Sequence, residues 1–428
     1  MGSVQMMFTA RKIFDRTTSS FPSGWKNTIL FRGFGFALLS IVPALGVADH
    51  SQAGEKEILL GMSTAMTGPA ADLGKNMRLG VMTALEQANR SGGIGGRALR
   101  LLVLDDGYEP ERTAPNMREL IEHKHVLAII GNVGTPTAIA AIPIANEQRT
   151  LFFAPFTGAG VLRKTPPDRY VINYRASYAE ETAAMIDALI HHGKLAPEDI
   201  AFFTQRDGYG DAGFAGGKAA LKRQGIKDEA KIVHVRYERN TLAVEGAIAT
   251  LLFSEPLPRA IVMVGAYAPC AKFIQLARES GLEALFLNVS FVGSTPLARK
   301  LGDEVDRVIV TQVVPHPLKS ELPIVREYRK NLQAMDDSIP PTFGGLEGFI
   351  ATRIFIKAMK NISGPLTKET LIDSLEALGR FDIGLGEPLH FDQHDHQASH
   401  RIWPTILHQG EFLPFSWADI PQLVSPNR

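Results

Sequence analysis

Two short loops, each following a run of apolar residues, carry the residue types that suit a small anionic ligand. They span residues 131–137 and 155–160. Thr135 and Pro136 predict a helix start in the first loop, with Thr135 as the N-cap and Pro136 as the first helical residue. The free N–H groups of a helix start suit a carboxylate or another anionic oxygen. Thr135 is therefore either a ligand contact or only the cap of its own helix.

The elements that must position these loops alternate between strands and helices. Apolar runs such as residues 58–62 and 99–104 are separated by amphipathic segments such as 77–89, which predicts a parallel sheet with helices on both faces. The pattern restarts after a linker rich in Pro and charge, residues 163–169, and continues to a strand over 308–314. The sequence therefore predicts two α/β units, with both loops at the carboxyl edge of the first sheet, where open α/β sheets bind ligands.

The chain after residue 314 is assigned to both units, so that it crosses between them three times. Predicted helices over 321–335, 346–360 and 367–378 join the first unit, and short strands over 384–391, 402–408 and 412–415 join the second. The predicted organisation is a signal peptide over 1–53, lobe 1 over 57–174 with 315–378, lobe 2 over 175–314 with 379–416, and a C-terminal tail over 417–428. Two lobes joined by several crossovers predict a cleft that closes by a hinge.

The first 53 residues have the composition of a secretory signal rather than of a fold. Five basic residues precede an apolar run over 33–48, and small-residue cleavage sites end at Ala48 or Ala53. A membrane anchor is the alternative, but the run is interrupted by Pro43 and is shorter than the roughly 20 residues that a spanning helix needs. A start at Met6 or Met7 would shorten the basic region. The sequence predicts a periplasmic protein.

Charge and cysteine content argue against a nucleic-acid-binding protein and against a disulfide-bonded one. The 428 residues include 45 basic and 45 acidic side chains, so no basic excess favours a nucleic-acid partner. Cys270 is the only cysteine, which rules out an internal disulfide. It is most simply a small buried apolar residue, and a catalytic thiol is the alternative.

Three motifs suggest chemistry without its usual context. Residues 208–213 match G-x-G-x-x-G, but residues 205–207 lengthen the strand exit and no acidic residue ends the next strand, so Tyr209 is better interpreted as a cleft residue. The histidines and aspartates of residues 390–400 fit no zinc spacing and resemble a solvated hairpin. Asp105 and Asp106 are either an acid–base pair or turn residues. Since no G-x-S-x-G is present either, we expect no cofactor, no metal and no catalytic residue.

An ordered set of segments resembles the periplasmic leucine/isoleucine/valine-binding family, the type I solute receptors of ABC importers. The segments are Ile58 to Gly61, Thr67 to Pro69, Asn89 to Gly96, Asp105-Asp106, Ile129 to Gly131 and Tyr209-Gly210. The likeness runs over residues 57–416. It implies a monomeric receptor with two Rossmann-like lobes that close on a small ligand and present it to an ABC permease in the inner membrane.

The resemblance also implies a set of ligand contacts. Position by position, they fall on Thr135, Phe156, Thr157, Gly158, Tyr209, Tyr267 and Ser290. Thr135 takes the place of the hydroxyl that holds the ligand carboxylate, whereas Ser290 stands where the branched-chain receptors have a glutamate against the ligand ammonium. An unpaired ammonium in a closed cleft is costly. We therefore expect a carboxylate- or amide-bearing ligand with an apolar or aromatic body and without that ammonium contact, unless Asp207 or Asp211 supplies the charge.

The expected function is ligand capture for import, without chemical change of the ligand. One alternative is a sensory domain that reports the ligand to a kinase or chemoreceptor. A periplasmic enzyme is the other alternative, and it would require Asp105, Asp106 or the late histidines to converge on a pocket.

Overall fold

Alternating strands and helices build two main sheets in the computed structural model, which describes residues 57–303 and 305–424. The predicted signal peptide, and the last four residues of the predicted tail, lie outside the described residues. No helix among the described residues is long and apolar enough to span a bilayer.

The first sheet has five parallel strands in the order β2-β1-β3-β4-β5. Its strands are β1 Ile58–Thr64, β2 Leu99–Asp105, β3 Ala128–Ile130, β4 Leu151–Phe153 and β5 Val171–Ile172. Its helices are α1 Ala71–Arg90, α2 Pro110–Arg118 and α3 Thr135–Glu147. Because β3 and β4 pair, the loops after them lie side by side, and a bridge joins Val133 to Phe156.

The second sheet has seven strands, of which five are parallel and follow the same strand–helix alternation. The parallel strands are β6 Ile200–Gln205, β7 His234–Tyr237, β8 Ala260–Val264, β9 Leu285–Asn288 and β10 Val308–Gln312. The helices of this lobe are α4 Tyr178–His191, α5 Gly208–Arg223, α6 Glu245–Leu252, α7 Tyr267–Glu279 and α8 Ser294–Leu301. The central strands are buried along their length, as expected for a sheet covered on both faces.

Three further helices, α9 Pro323–Met335, α10 Phe343–Lys360 and α11 Lys368–Glu376, follow β10. Helix α10 packs along α1 at short range because glycines face each other across the contact. A Cβ at Gly80 would overlap the carbonyl oxygen of Gly345, and a Cβ at Gly348 would lie 2.5 Å from the carbonyl oxygen of Met77. This contact fixes the position of the first turns of α10.

The end of the chain divides between the two sheets. Strands β11 Gly379–Phe381 and β12 Leu389–Phe391 form a separate antiparallel hairpin. Strand β13 Trp403–His408 pairs antiparallel with β10, and β14 Glu411–Pro414 pairs antiparallel with β13, which completes the seven-stranded sheet. The short helix α12 Ile420–Val424 follows.

The loop after β12 pairs with the edge of the first sheet. The Asn173 N–H donates to the His396 carbonyl at 2.7 Å, and the Ala398 N–H donates to the Asn173 carbonyl at 3.0 Å. Residues 396–399 thus pair with the edge of the first sheet, contrary to the expectation that the whole of 379–416 joins the second lobe. The reason is that the last strand of a sheet has free backbone groups, which this loop satisfies.

Candidate ligand-binding site

The N-cap of the helix that follows β3 lies one residue earlier than predicted. Gly134, not Thr135, is the N-cap of α3, with φ at 109°, and a Cβ there would overlap the Tyr108 ring. Thr135 is the first helical residue, and its side chain makes no capping hydrogen bond. The Thr135 Oγ1 lies 2.6 Å from the Thr157 Oγ1 instead. The predicted capping role of Thr135 is therefore wrong, and its hydroxyl joins the two loops.

The loop after β4 is pressed against the start of α4. The Gly158 carbonyl accepts a hydrogen bond from the Tyr178 N–H at 2.8 Å, and a Cβ on Gly158 would lie 2.7 Å from the Tyr178 ring. Phe156 and Thr157 are buried beside it. The Tyr178 hydroxyl has no hydrogen-bond partner within the described part of the chain.

Aromatic rings from both lobes meet around Phe291, just after β9. The Phe291 ring centroid lies 5.9 Å from that of Tyr108, 5.5 Å from that of Phe156 and 4.6 Å from that of Tyr209. Tyr108 and Phe156 belong to the first lobe, whereas Tyr209 and Phe291 belong to the second. All four rings are buried, so the lobes are in contact here.

Ion pairs hold the rims of the two lobes together. The Arg299 Nη2 lies 2.5 Å from the Asp72 Oδ2, and the Arg239 Nη2 lies 2.7 Å from the Glu109 Oε2. In both pairs the arginine comes from the second lobe and the acid from the first. The structure is therefore a closed form of the two lobes.

A buried arginine occupies the centre of the junction. Arg175, three residues after β5, is 1% exposed, and its guanidinium lies over the Phe156 ring with Cζ 4.7 Å from the centroid. Its Nη2 donates to the Ser290 Oγ and lies 3.5 Å from the Glu181 Oε1, while its Nη1 lies 3.6 Å from the Glu347 Oε1. Nε and Nη1 make no hydrogen bond to any described residue.

The two carboxyl groups beside Arg175 differ in their partners. Glu181 accepts from the Ser290 N–H at 2.7 Å, the Ser290 Oγ at 2.9 Å and the Thr311 Oγ1 at 2.5 Å. Burial raises the pKa of Glu181, and burial raises the pKa of Glu347 to about 7 against the opposing charge of Arg175. Although burial opposes its charge, the two acids hold the pKa of Arg175 above its ordinary value.

The structure brings six of the seven predicted contact residues to this junction, namely Thr135, Phe156, Thr157, Gly158, Tyr209 and Ser290. Tyr267 lies at its edge, at the start of α7, where its hydroxyl contacts the Asp72 backbone. The carboxylates suggested as replacements are engaged elsewhere. Asp207 caps α5 by accepting from the Tyr209 N–H at 2.9 Å, and Asp211 pairs with Arg236.

Sequence reasoning missed the three buried charges, Arg175, Glu181 and Glu347. A signal for two of them was present. Arg175 lies shortly after a strand of the first sheet, as the predicted contacts Thr135 and Phe156 do, and Glu347 is the only charged residue in the apolar, glycine-rich stretch 343–351. A lone charge in such surroundings indicates a buried partner.

The motifs of the other functional classes have structural roles. Gly210 and Gly213 let α5 approach the Gln205 carbonyl and Val264. The hydroxyl of Ser63 and the N–H of Tyr108 donate to Asp106 at 2.8 and 2.9 Å.

The late histidines are held by separate partners. His390 contacts Asp392, His396 contacts Val171 and His400 contacts Glu180. The described residues include no group of three or more possible metal ligands.

Comparison with known proteins gives the family. A family model described as periplasmic binding protein matches residues 57–410. The solved structure of a possible leucine/isoleucine/valine-binding protein from Rhodopirellula baltica is 49% identical with a TM-score of 0.84, over 87% of this chain and 100% of that chain. A substrate-binding periplasmic protein from Ralstonia solanacearum is 27% identical with a TM-score of 0.77, over 84% and 100%.

A curated amino acid binding protein from Pseudomonas aeruginosa is 23% identical over 275 residues, which are 64% of this chain and 70% of that protein. The resemblance found in the sequence is thus confirmed, as is the predicted fold class of two parallel-sheet lobes. The chain belongs to the periplasmic binding protein family, whose members bind solutes and have the type I two-lobe fold.

Proposed function

We propose that this chain is the periplasmic solute-binding component of an ABC importer. Its ligand is a small molecule with a carboxylate or amide group and an apolar or aromatic body, held between the lobes. The observation that carries the proposal is the buried guanidinium of Arg175, whose Nε and Nη1 have no hydrogen-bond partner among the described residues. Buried donors without partners are costly, and an anionic ligand oxygen would satisfy them.

Several hydroxyl groups support the same polar end of the ligand. The Thr135 and Thr157 hydroxyls bond to each other, and each retains further hydrogen-bonding capacity. Tyr178 adds a hydroxyl without a partner among the described residues, and the N-terminus of α3 adds the positive end of a helix dipole. These groups favour a carboxylate over a cationic group at this end.

The rings around Phe291 support an apolar body for the ligand. They fill the junction in the closed form, where the cavity lined by Phe156, Ser290 and Glu347 measures about 20 Å³. A ligand therefore enters only when the lobes separate, and it must take the place of part of the ring packing. Closure is then favoured by the ligand's higher affinity for the closed form.

The relatives support amino acids as the first candidates. The Rhodopirellula protein is described as a possible leucine/isoleucine/valine-binding protein, and the Pseudomonas protein as an amino acid binding protein. The first test is a thermal-shift screen of amino acids against aliphatic and aromatic carboxylates. A ligand at 100 times its Kd adds about 2.7 kcal/mol to the free energy of unfolding. If neither class raises the melting temperature, the proposal is wrong.

Thr135→Ala tests the geometry of the site with whichever ligand the screen identifies. We expect affinity to fall by about 1–3 kcal/mol, or about 5- to 150-fold, because a buried ligand oxygen loses a donor. Thr250→Ala is the control, since its exposed hydroxyl only bonds to the Gly246 carbonyl of its own helix. An unchanged affinity in isothermal titration calorimetry would mean that Thr135 only ties the two loops together.

A further inference from the structure

The carboxylate of Glu347 is the charged group at the junction with the fewest partners. Within the described residues it accepts no hydrogen bond, and its ion pair is with Arg175 at 3.6 Å. It is 3% exposed and lines the small cavity between the lobes together with Phe156, Ser290 and Gln312. A buried carboxylate of this kind needs hydrogen-bond donors that the chain does not supply.

The position of Glu347 is fixed by the packing of its helix. The glycine contacts between α1 and α10 hold the first turns of α10 against the first lobe, and the Thr342 hydroxyl caps the helix by accepting from the Gly345 N–H at 3.0 Å. Glu347 is therefore presented to the cleft by a rigid helix, not by a loop. Rigid presentation is what a selective contact requires.

Arg175 and the two carboxylates that it contacts have a net negative charge. Arg175 contributes +1, and Glu181 and Glu347 contribute −1 each when ionised, so these three groups sum to −1; the positive charge of Arg163 also acts on Glu347, but more weakly than that of Arg175. Glu181 is satisfied by three hydrogen bonds as well as by Arg175, so the surplus belongs to Glu347. A zwitterionic ligand would bring a cationic group for Glu347 and a carboxylate for Arg175 and the threonine hydroxyls.

We propose that Glu347 selects the charge of the ligand, by accepting a hydrogen bond from a cationic N–H group of the molecule held between the lobes. This inference rests on the proposed function. It assigns to α10 the role that Ser290 cannot perform, since the Ser290 hydroxyl is engaged by Arg175 and Glu181. A ligand with a carboxylate and no cationic group binds only when Glu347 is protonated, because two adjacent negative charges repel each other in a buried site.

The proposal predicts opposite pH dependences for the two kinds of ligand. Burial raises the pKa of Glu347 to about 7; Arg175 and Arg163 oppose this shift, and Glu181 adds to it. Tyr174 also faces Glu347, but it remains neutral because its own pKa is well above 10. Affinity for a zwitterion falls as pH drops below 7, and affinity for a monocarboxylate falls as pH rises above 7, each by up to about tenfold per pH unit.

Two matched pairs of probes test this difference. L-Leucine is compared with 4-methylpentanoate, and L-phenylalanine with 3-phenylpropanoate, since each pair differs only in the amino group. Affinities are measured by isothermal titration calorimetry at pH 6 and pH 8, for the wild type, Glu347→Gln and Glu347→Asp. Glu321→Gln serves as the control because that side chain is 71% exposed.

Removal of the Glu347 charge should change the affinity for the amino acid and the affinity for the matching carboxylate in different ways. At pH 8 we expect Glu347→Gln to weaken amino acid binding by about 10- to 150-fold and to leave the carboxylate equal or tighter, with no remaining pH dependence. Glu347→Asp should restore part of the amino acid affinity, which a purely structural role would not predict. Equal effects on both members of a pair would overturn the inference and leave the proposed function intact. If the wild type binds none of the four probes, the proposed ligand class is wrong and the inference with it.

Discussion

The stability of the ligand-free protein should depend on the protonation of Glu347, and this can be measured without a ligand. The pKa of this carboxyl rises from 4.5 to about 7 on burial. Since the folded state binds the proton more tightly than the unfolded state, folding takes up a proton between these two pH values. The free energy of unfolding therefore falls as pH rises through this window, and it is flat on either side as far as Glu347 is concerned. A shift of this size corresponds to about 3 kcal/mol.

Glu347→Gln removes this titration, because glutamine carries no charge at any pH in the window. The difference in unfolding free energy between variant and wild type should move in favour of the variant by about 3 kcal/mol between pH 4.5 and pH 7.5. Urea unfolding followed by circular dichroism across this range measures the difference, with equal m-values as the check on comparable transitions. For Glu321→Gln, on an exposed side chain, the free energy of unfolding should change with pH in the same way as for the wild type. A difference that stays constant with pH would refute the raised pKa, and with it the deep burial of a poorly partnered carboxyl.

Two further substitutions test the ring contacts and the helix packing. Phe291→Ala removes two ring pairs that join the lobes and should weaken the closed form by about 1–3 kcal/mol. The more open protein should have a larger radius of gyration in solution scattering. Phe253→Ala, at an 88% exposed ring, should leave the radius of gyration unchanged. Gly80→Ala should lower the free energy of unfolding by about 1–3 kcal/mol, because its Cβ overlaps α10, whereas Gly246→Ala meets no neighbour within 4 Å and should not destabilise. A wild-type midpoint for Gly80→Ala would contradict the close helix contact.

The sequence predicted those features of the fold that depend on local periodicity. Alternating apolar runs and amphipathic segments gave the two parallel-sheet units and placed the loops after β3 and β4 side by side. The start of α3 was off by one residue because Thr135 and Gly134 are both good N-cap residues, and only the contact with Tyr108 requires the positive φ of the glycine. The loop after β12 was assigned to the wrong sheet because its partner is the backbone of a distant edge strand.

The charged centre of the site could not be located from local patterns. Arg175, Glu181 and Glu347 come from three separate segments, and nothing in the spacing of one segment shows that the others face it. Glu181 lies in the first turn of α4, but the orientation of its side chain depends on Ser290, after β9, and on Thr311 of β10. Helix α10 is apolar on most faces, and its single acid indicates a buried partner without showing which residue that partner is.

Under the proposed function, burial of these charges makes closure depend on the ligand. Glu347 is carried by the helix that packs on the first lobe, and Glu181 is carried by α4 of the second, so closing the lobes brings both carboxylates against one guanidinium. In an open form water solvates all three groups. Closing without a ligand removes that water and leaves Nε and Nη1 of Arg175 without hydrogen-bond partners among the described residues, which costs free energy that the ion pairs only partly return. On that proposal, a ligand that supplies the missing partners removes this cost, and the groups that bind it also drive closure.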